Sequence, residues 1–348
     1  MRETRLFVTG AADRGVITGC VIGPDGALRV AATSDELGQL LSLARHPDLP
    51  VLYAASAADR GTLHAFAIRD GTPILLGSTP SGGELPCSMA VDPSGRWLVT
   101  AHYGCGTLTV HELAEGGSVG PLLSRARHAD EPAGAEPERQ DGSHLHQVRF
   151  DPSGRWLIAT DLGTDTIWTY QLSDGRLSAC RRSAAASGAG PRHSGFATVG
   201  PACWLIVADE LASTISWYEL DREDGGLRLL GRRSSTVETG PRRNYPGDLQ
   251  VSADSRFAYL ANRGHDTLAV FAIGTDGLEP VQEVAAGGRW PQHLALVGAR
   301  LYCALRDSDQ ITTFDVDRRT GEITLRTPRL VVPAPTWLTP FPERTPAS

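Results

Sequence analysis

The chain has 348 residues, and its 33 basic and 40 acidic side chains give a formal net charge of −7 at neutral pH. This balance argues against a nucleic-acid-binding protein, which would carry an excess of basic residues on one face. The sequence contains no lysine, which excludes a Schiff-base lysine, a P-loop lysine and a pyridoxal-phosphate enzyme.

The N-terminal residues run directly into the strand-like Leu6-Phe7-Val8 without the pattern of a signal peptide. No apolar run reaches the roughly 18 residues that a membrane-spanning helix needs. Six cysteines occur singly and form no C-x-x-C pair, so we expect reduced thiols. These features predict a cytoplasmic protein that binds neither membranes nor nucleic acid; they leave open whether it is a monomer or a dimer.

An internal repeat organises the chain. The heptapeptide Asp-Pro-Ser-Gly-Arg-Trp-Leu occurs at 92–98 and at 151–157, and weaker versions lie at 252–259 and around Cys203. The first bulky residue after each turn recurs at intervals of roughly 44 to 59 residues, which is typical of the blades of a β-propeller. These marker residues are Leu52, Trp97, Trp156, Trp204, Phe257 and Leu301.

Each repeat predicts four short strands, since alternating apolar residues are separated by Asp-Gly and Ser-Gly turns. In one repeat the predicted strands are 145–150, 156–160, 166–172 and 177–182. Six complete repeats fit between Gly38 and Val332.

Only three strands precede these repeats, at 6–10, 16–22 and 28–32, and the stretch 335–341 supplies a fourth. We therefore predict a single all-β domain over residues 1–348. It is a seven-bladed propeller with four antiparallel strands per blade, closed where the N- and C-terminal strands join. Two separate β-domains are the alternative, but no linker interrupts the repeats.

One segment breaks the repeat. Residues 125–142 form a polar, Pro- and Gly-containing insertion between two predicted blades. Long loops in compact domains are often functional lids, and a solvated decoration is the other interpretation.

Polar side chains concentrate on one face of the predicted ring. In a four-stranded antiparallel blade, the loops entering the first strand and those between the second and third strands share a face, opposite to the Asp-Pro-Ser-Gly turns. The polar and aromatic residues on that face are His102, Tyr103, His144, His146, Asp161, Asp165, Arg192, His193, Asp209, Glu210, Tyr245, Asn262, Arg263, His265, Trp290 and His293. Because innermost strands line the central channel, we expect many of these groups to converge on one pocket.

Several motifs on this face resemble those of the seven-bladed lactonase family, which contains propeller-type 6-phosphogluconolactonases and carboxy-cis,cis-muconate cyclases. The motifs are Gly190-Pro-Arg-His193, Ala208-Asp-Glu-Leu211, Ser143-His-Leu-His146 with Asp161-Leu-Gly-Thr-Asp165, Asn244-Tyr-Pro246 and Ala261-Asn-Arg-Gly-His-Asp266. The resemblance extends from Leu6 to about Phe341. It implies an active site at His146, Arg192, Glu210 and Arg263.

The chain departs from the family pattern at three places. Asp209 and His102 stand where asparagine is common in relatives, and 296–300 lacks the usual turn. None of these changes touches the four implied positions, but the first two bear on substrate choice.

The residue types suit lactone hydrolysis, which needs an activated water, stabilisation of an oxyanion and an acid for the leaving alkoxide. Glu210 and His146 are the candidate bases, in either order. Arg192 and Arg263 are candidates to stabilise the oxyanion and to bind an anionic substituent. Further predicted substrate contacts are Tyr103, His144, Asp161, Asp165, His193, Tyr245, Asn262 and His293. We expect an anionic small-molecule lactone as the partner, with no cofactor and no metal.

Five alternatives stay open. The Arg192–Glu210 pair is also explained as a structural ion pair that closes the ring. A muconate-type cycloisomerase and a non-catalytic binding propeller are two further functions that the same residues allow. A calcium-dependent six-bladed lactonase would need a cage, for which Asp161, Asp209 and Asn262 are the candidates. His144 and His146 are spaced to share one side of a strand, which also suits a metal, but nothing completes a zinc set.

Overall fold

A computed structural model describes residues 4–10, 15–128, 136–237 and 242–342. They form seven antiparallel sheets arranged as the blades of a ring, which confirms the predicted seven-bladed propeller. Each blade has four strands, which follow one another in the chain except in the first blade, where the C-terminal strand takes part, and the seventh blade adds a short fifth strand. No helix among these residues has the length and apolar character needed to cross a membrane.

Blades 1 to 4 occupy the first half of the chain. Blade 1 contains β1 (Thr4–Gly10), β2 (Ile17–Ile22) and β3 (Leu28–Thr33). Blade 2 contains β4 (Leu40–Arg45), β5 (Val51–Ser56), β6 (Thr62–Arg69) and β7 (Thr72–Pro80). Blade 3 contains β8 (Pro86–Val91), β9 (Trp97–His102), β10 (Thr107–Leu113) and β11 (Val119–Arg127). Blade 4 contains β12 (Leu145–Phe150), β13 (Leu157–Asp161), β14 (Thr166–Ser173) and β15 (Arg176–Ala184).

Blades 5 to 7 complete the ring. Blade 5 contains β16 (Pro191–Val199), β17 (Ala202–Asp209), β18 (Thr214–Leu220) and β19 (Leu227–Ser234). Blade 6 contains β20 (Tyr245–Val251), β21 (Phe257–Arg263), β22 (Thr267–Gly274) and β23 (Gly277–Ala285). Blade 7 contains β24 (Pro291–Val297), β25 (Arg300–Leu305), β26 (Gln310–Val316), β27 (Ile323–Leu325) and β28 (Leu330–Val331), and β29 (Pro335–Pro342) follows. The remaining helical elements are two 3₁₀ turns, Ala58–Arg60 and Arg306–Ser308.

The C-terminal strand closes the ring, as the sequence predicts. β29 pairs antiparallel with β1, from Thr4 opposite Pro342 to Gly10 opposite Pro335, and it occupies the innermost position of blade 1. It therefore packs beside the inner strands of both neighbouring blades, β24 and β4.

The repeated heptapeptide forms the turn between the first two strands of blades 3 and 4. In blade 3, Asp92 accepts hydrogen bonds from the backbone N–H groups of Ser94 (3.0 Å), Arg96 (2.8 Å) and Trp97 (2.7 Å). Gly95 adopts a φ of 73°, a left-handed conformation that glycine tolerates best. The aspartate and the glycine of the motif are thus explained by turn chemistry, and they lie on the face opposite to the pocket.

The hydrophobic core is divided among the interfaces between blades. Seven clusters of buried residues lie in the described structure, each joining two neighbouring blades. Between blades 4 and 5, for example, Trp156 and Ile158 pack against Leu205 and Tyr218. The five described cysteine side chains, Cys20, Cys87, Cys105, Cys203 and Cys303, are free thiols, in agreement with the prediction.

The inner strands share one irregularity that positions the pocket. Near its first residues, each of β4, β8, β12, β16, β20 and β24 loses regular pairing with its neighbour, as in a β-bulge. Bulges redirect a side chain out of the alternation of a strand and are common beside active sites. The residues at these irregularities include Leu41, Cys87, His146, Arg192, Asp248 and Gln292.

Candidate active site

A pocket of about 530 Å³ opens on the face where the sequence places the polar residues. Residues of six blades and of the insertion line it, so the ring itself brings distant parts of the chain together. The lining residues are Leu41, Leu85, Cys87, Tyr103, Arg139, His146, Arg192, Glu210, Tyr245, Arg263, Trp290, Gln292 and Arg306. All four residues of the implied active site are among them. We call this space the main pocket.

Glu210 is the centre of the charge arrangement. Its buried carboxylate lies 2.9 Å from Nε of Arg192 and 2.7 Å from Nη2 of Arg263, both through Oε2. Its other oxygen, Oε1, accepts a hydrogen bond of 2.7 Å from Nη2 of Arg139. Three guanidinium groups therefore surround one carboxylate.

Backbone carbonyls hold two of these arginines in place. Arg192 donates from Nη1 to the carbonyl of Gly247 at 2.7 Å. Arg263 donates from Nε to the carbonyl of Tyr245 at 2.9 Å and from Nη2 to that of Pro246 at 3.2 Å. The carbonyls belong to the start of β20, where pairing is irregular, so the shape of that strand sets the position of both arginines.

The surroundings of Glu210 decide its protonation. Burial alone would raise the pKa of this carboxyl, but Arg263, Arg192 and Arg139 outweigh burial and hold the pKa far below its usual range. A carboxylate with so low a pKa is a weak proton acceptor. Its charge instead orients the arginines.

His146 is the other candidate base. It lies at the irregularity of β12, with its ring 5.6 Å from the Tyr103 ring and 5.3 Å from the His193 ring between centroids. Its Nδ1 is buried and has no hydrogen-bond partner among the described residues. Burial, followed by the charge of Arg192, lowers the pKa of His146 well below its usual value, so the imidazole is neutral at physiological pH.

Cys87 supports this histidine and is not itself a nucleophile. Its thiol lies 3.3 Å from the carbonyl oxygens of both Leu145 and His146, which share its single proton, and so it stabilises the irregular start of β12. Burial raises the pKa of the Cys87 thiol to about 12, which excludes a thiolate near neutral pH.

Aromatic side chains complete the wall of the main pocket. The guanidinium carbons of Arg263 and Arg306 lie 5.6 and 4.8 Å from the centre of the Trp290 ring, within the range of cation–π attraction. The Tyr245 ring is 6.2 Å from that of Trp290. Tyr103 and Tyr245, both predicted substrate contacts, thus line the main pocket.

Arg139 is a site residue that the sequence did not predict. It lies in the segment 136–142 and also donates from Nε to the hydroxyl of Tyr103 at 3.1 Å. The predicted insertion, 125–142, begins too early, because its residues 125–127 belong to β11 (Val119–Arg127). Gln140 anchors the segment by donating to Leu162 O at 3.0 Å and to Asp165 Oδ1 at 2.9 Å. Residues 129–135 of the predicted insertion lie outside the described residues. The segment has no counterpart in the other blades, so repeat comparison gives no signal for it.

Four predicted substrate contacts do not line the main pocket. Asp161 accepts hydrogen bonds from the Ser143 hydroxyl and the His144 backbone. Asp165 accepts from the backbone of Gly188 and Gly190. Asn262 bonds to Asn244 and to the carbonyl of Ser235, and His144 lies 2.7 Å from Asp141 and 2.8 Å from the carbonyl of Tyr103. These side chains stabilise loops at the rim of the pocket.

The remaining two predicted contacts, His193 and His293, line a second space of about 220 Å³ that adjoins the main pocket. Asp248 lies between them, with carboxylate oxygens 2.7 Å from His193 and 3.5 Å from His293. Asp248 was not predicted from the sequence, although its place near the start of an inner strand matches that of His146 and His193.

Among the described residues, the structure does not support the proposed calcium and histidine metal sites, but another cluster has metal-ligand spacing. The candidate calcium ligands Asp161, Asp209 and Asn262 are each engaged in hydrogen bonds to other protein groups, Asp209 by Thr214 at 2.8 Å and by Ser216. His144 and His146 belong to no cluster with metal-ligand spacing, whereas His193, Asp248 and His293 do.

Comparisons with known proteins agree with this architecture. The family model described as "Lactonase, 7-bladed beta-propeller" matches residues 6–340. A 6-phosphogluconolactonase of Bacillus subtilis (strain 168) is 30% identical over 317 residues, which is 89% of each chain. A solved structure from Lactobacillus plantarum is similar with a TM-score of 0.90 and 28% identity, covering 98% of this chain and 100% of that one.

A second solved structure comes from Bacteroides fragilis NCTC 9343 and is provisionally named a 6-phosphogluconolactonase. Its TM-score is 0.87 and its identity 26%, covering 97% of this chain and 98% of that one. The family match spans nearly the whole propeller, including all the residues around Glu210. The chain therefore belongs to the seven-bladed β-propeller lactonase family.

Proposed function

We propose that this protein hydrolyses a sugar lactone, and most specifically 6-phosphogluconolactone to 6-phosphogluconate. The observation that carries the proposal is the meeting of Arg139, Arg192 and Arg263 at Glu210, beside the neutral imidazole of His146. The family and the name of the Bacillus subtilis relative support the lactone as substrate.

The reaction begins with a water molecule beside His146. The neutral imidazole of His146 accepts a proton from this water while the oxygen attacks the lactone carbonyl carbon. Negative charge develops on the carbonyl oxygen, where Arg192 and Arg263 stabilise it. The ring C–O bond then breaks, and the leaving alkoxide takes the proton from the imidazolium. The product is an open-chain acid that ionises and releases a proton to solvent.

The sequence left Glu210 as a candidate base, but its surroundings favour another role. Its low pKa makes it a poor base, whereas its charge holds three guanidinium groups in one place without mutual repulsion. We therefore assign the base to His146 and the placement of the arginines to Glu210.

The charge of the main pocket supports a phosphorylated substrate. Its lining includes four arginines and a single carboxylate, in a chain whose net charge is −7. Guanidinium groups bind phosphate through paired hydrogen bonds, so such a surplus of arginine favours a doubly charged substituent over a neutral sugar. Arg139 is half-exposed at the rim and is the arginine placed best to meet it.

The test is the rate of proton release from freshly generated 6-phosphogluconolactone and from unphosphorylated gluconolactone. Wild type is compared with Arg263→Ala and Glu210→Gln. A matched control is Arg228→Ala, which removes an arginine from an exposed arginine–glutamate pair on β19. We expect a rate well above spontaneous hydrolysis for wild type and the control, and a loss in the other two variants with folding intact.

Failure to accelerate the hydrolysis of either lactone by wild type would overturn the proposal. Turnover of a carboxymuconate in that case would move the assignment to a cycloisomerase, since the same arginines bind carboxylates. Inactivity with all three compounds would favour a binding propeller.

A further inference from the structure

The space beside the main pocket, which we call the second chamber, is lined by groups that the reaction above does not use. They include Gln39, His193, His293, Thr336 and Trp337. Leu41, Cys87, His146, Arg192, Gln292 and Arg306 line both spaces, so the two are neighbours with a common wall. A ligand held at His146 can therefore extend into the second chamber.

Hydrogen-bond partners determine where the protons of its two histidines lie. Nδ1 of His293 accepts from the backbone N–H of Leu338 at 3.3 Å, so the proton of this neutral ring is on Nε2, 3.5 Å from Asp248 Oδ2. Nδ1 of His193 lies 2.7 Å from Asp248 Oδ1 and donates to it. The tautomer of His193 therefore leaves an unprotonated Nε2.

This proton arrangement argues against a metal ion at the cluster. A metal on Nε2 of His293 would move the ring proton to Nδ1, where it would face the N–H of Leu338. A metal on Nδ1 of His193 would displace the hydrogen bond to Asp248. The three residues have metal-ligand spacing, but their hydrogen bonds describe a carboxylate that orients two imidazoles.

In this arrangement, the described part of the chain leaves Nε2 of His193 without a hydrogen-bond donor. The His193 side chain is only 2% exposed, and Nε2 has no hydrogen-bond partner among the described residues. Burial, followed by the charge of Arg192, lowers the pKa of His193 to about 3, so the ring stays neutral and Nε2 keeps its lone pair. A buried acceptor without a partner is costly, and it is expected to meet a donor from a ligand.

The walls of the second chamber indicate what kind of donor fits. Trp337 offers an apolar face, with its ring centroid 4.2 Å from that of His293 and 5.6 Å from that of His193. Gln39, Gln292 and Thr336 add side chains that both donate and accept hydrogen bonds. An aromatic plane beside these groups suits a polyol, which has C–H faces and hydroxyl edges. The two arginines of the second chamber, Arg192 and Arg306, belong to the wall that it shares with the main pocket.

We propose that the second chamber binds the hydroxyl-bearing carbons of the lactone, with Nε2 of His193 accepting a hydrogen bond from one hydroxyl. This inference deepens the proposed function and rests on it. Asp248 is then a positioning residue, because it sets the tautomer that makes His193 an acceptor. The lactone carbonyl stays at His146 and the phosphate at the arginines of the main pocket.

The substitution Asp248→Asn tests the tautomer directly. Oδ2 of Asp248 accepts from the Leu294 backbone at 2.9 Å and from Gln250 Nε2 at 3.1 Å, whereas Oδ1 serves His193. An asparagine will keep its oxygen at the Oδ2 position and turn its NH₂ toward His193. Nδ1 of His193 must then accept, and Nε2 becomes a donor.

The measurement is kcat/KM for D-glucono-δ-lactone divided by kcat/KM for δ-valerolactone, which has no hydroxyl groups. We expect Asp248→Asn to lower this ratio about threefold or more, because the hydroxyl must turn round to accept from Nε2–H and loses the orientation in which it donates its own proton. His193→Asn is the second variant, since its amide can still donate to Asp248 while Nε2 is absent. Both variants are expected to lower the ratio. The control is His64→Asn, which changes a buried histidine of blade 2 and should leave the ratio unchanged.

Nitrogen-15 NMR of the histidine rings supplies a readout that does not depend on turnover. Wild type should show His193 protonated at Nδ1, and Asp248→Asn should show it protonated at Nε2. If Asp248→Asn does not fold, the test depends on His193→Asn: a lower ratio of the two kcat/KM values supports the inference, and an unchanged ratio contradicts it.

If wild type hydrolyses none of D-glucono-δ-lactone, δ-valerolactone and 6-phosphogluconolactone, both the proposed function and this inference are wrong. Wild type that hydrolyses gluconolactone, with a ratio unchanged in the folded variants, would overturn this inference alone.

Discussion

At the scale of single residues, Glu210 shows how charge organises this site. Replacing it by glutamine leaves Arg192 and Arg263 buried without their anion, and breaking a buried ion pair in this way costs about 3–5 kcal/mol of unfolding free energy. We expect Glu210→Gln to unfold at lower temperature, and inorganic phosphate to restore part of the loss by binding the freed arginines. Thermal unfolding with and without phosphate measures both effects.

The control for that prediction is Glu219→Gln, which removes the carboxylate of the exposed pair with Arg228. Exposed pairs contribute at most about 1 kcal/mol, so its melting temperature should stay near that of wild type. Equal stability of Glu210→Gln and wild type would mean that the three arginines do not depend on this carboxylate.

His146 leads to a prediction about pH. Because its pKa is lowered by burial and by Arg192, the neutral form that accepts a proton is already dominant at pH 6.5. We expect kcat/KM, corrected for spontaneous hydrolysis, to be flat between about pH 6.5 and 8 and to fall only under more acidic conditions. His146→Gln should lower kcat by about 10²–10⁴-fold. An acidic decline centred at or above pH 6.5 would contradict the assignment of the base.

At the scale of elements, the sequence predicts the strands well because turn chemistry and alternation are local properties. The predicted strand 166–172 is observed as β14 (Thr166–Ser173), and 335–341 as β29 (Pro335–Pro342). Motifs mark four candidate residues that the structure brings together at the main pocket: His146, Arg192, Glu210 and Arg263. Two further residues of the site could not be predicted. Arg139 lies in a segment without a counterpart in the other repeats. Asp248 lies at the irregular start of an inner strand, where side chains do not alternate regularly.

The segment 136–142 is expected to contribute to substrate specificity through Arg139. Arg139→Gln removes one charged hydrogen-bond donor from the rim of the main pocket, and hydrogen bonds to charged groups contribute about 1.5–3 kcal/mol. We expect KM for 6-phosphogluconolactone to rise about tenfold or more, with a much smaller change for gluconolactone. The exposed neighbour Glu138→Gln is the matched control within the same segment. Equal losses with both lactones would show that Arg139 supports the site as a whole and does not recognise phosphate.

At the scale of the whole molecule, stability depends on closing the ring. Phe341 of β29 is 7% exposed and packs edge-on against Phe7 of β1, with ring centroids 5.4 Å apart. It belongs to the cluster between blades 1 and 2, which also contains Leu40, Leu52 and Phe66. One side chain of the last strand thus links the beginning and the end of the chain to the next blade.

Because β29 is the innermost strand of blade 1 and closes the ring, weakening this contact loosens the closing strand. We expect Phe341→Ala to lower the free energy of unfolding by about 3–5 kcal/mol, the usual cost of deleting a buried phenylalanine side chain. Denaturant unfolding measures it, with Leu229→Ala, at a side chain 48% exposed, as the control that should change little. A loss below about 1 kcal/mol would mean that the ring holds without this contact, and that the backbone pairing of β29 with β1 is sufficient to close it.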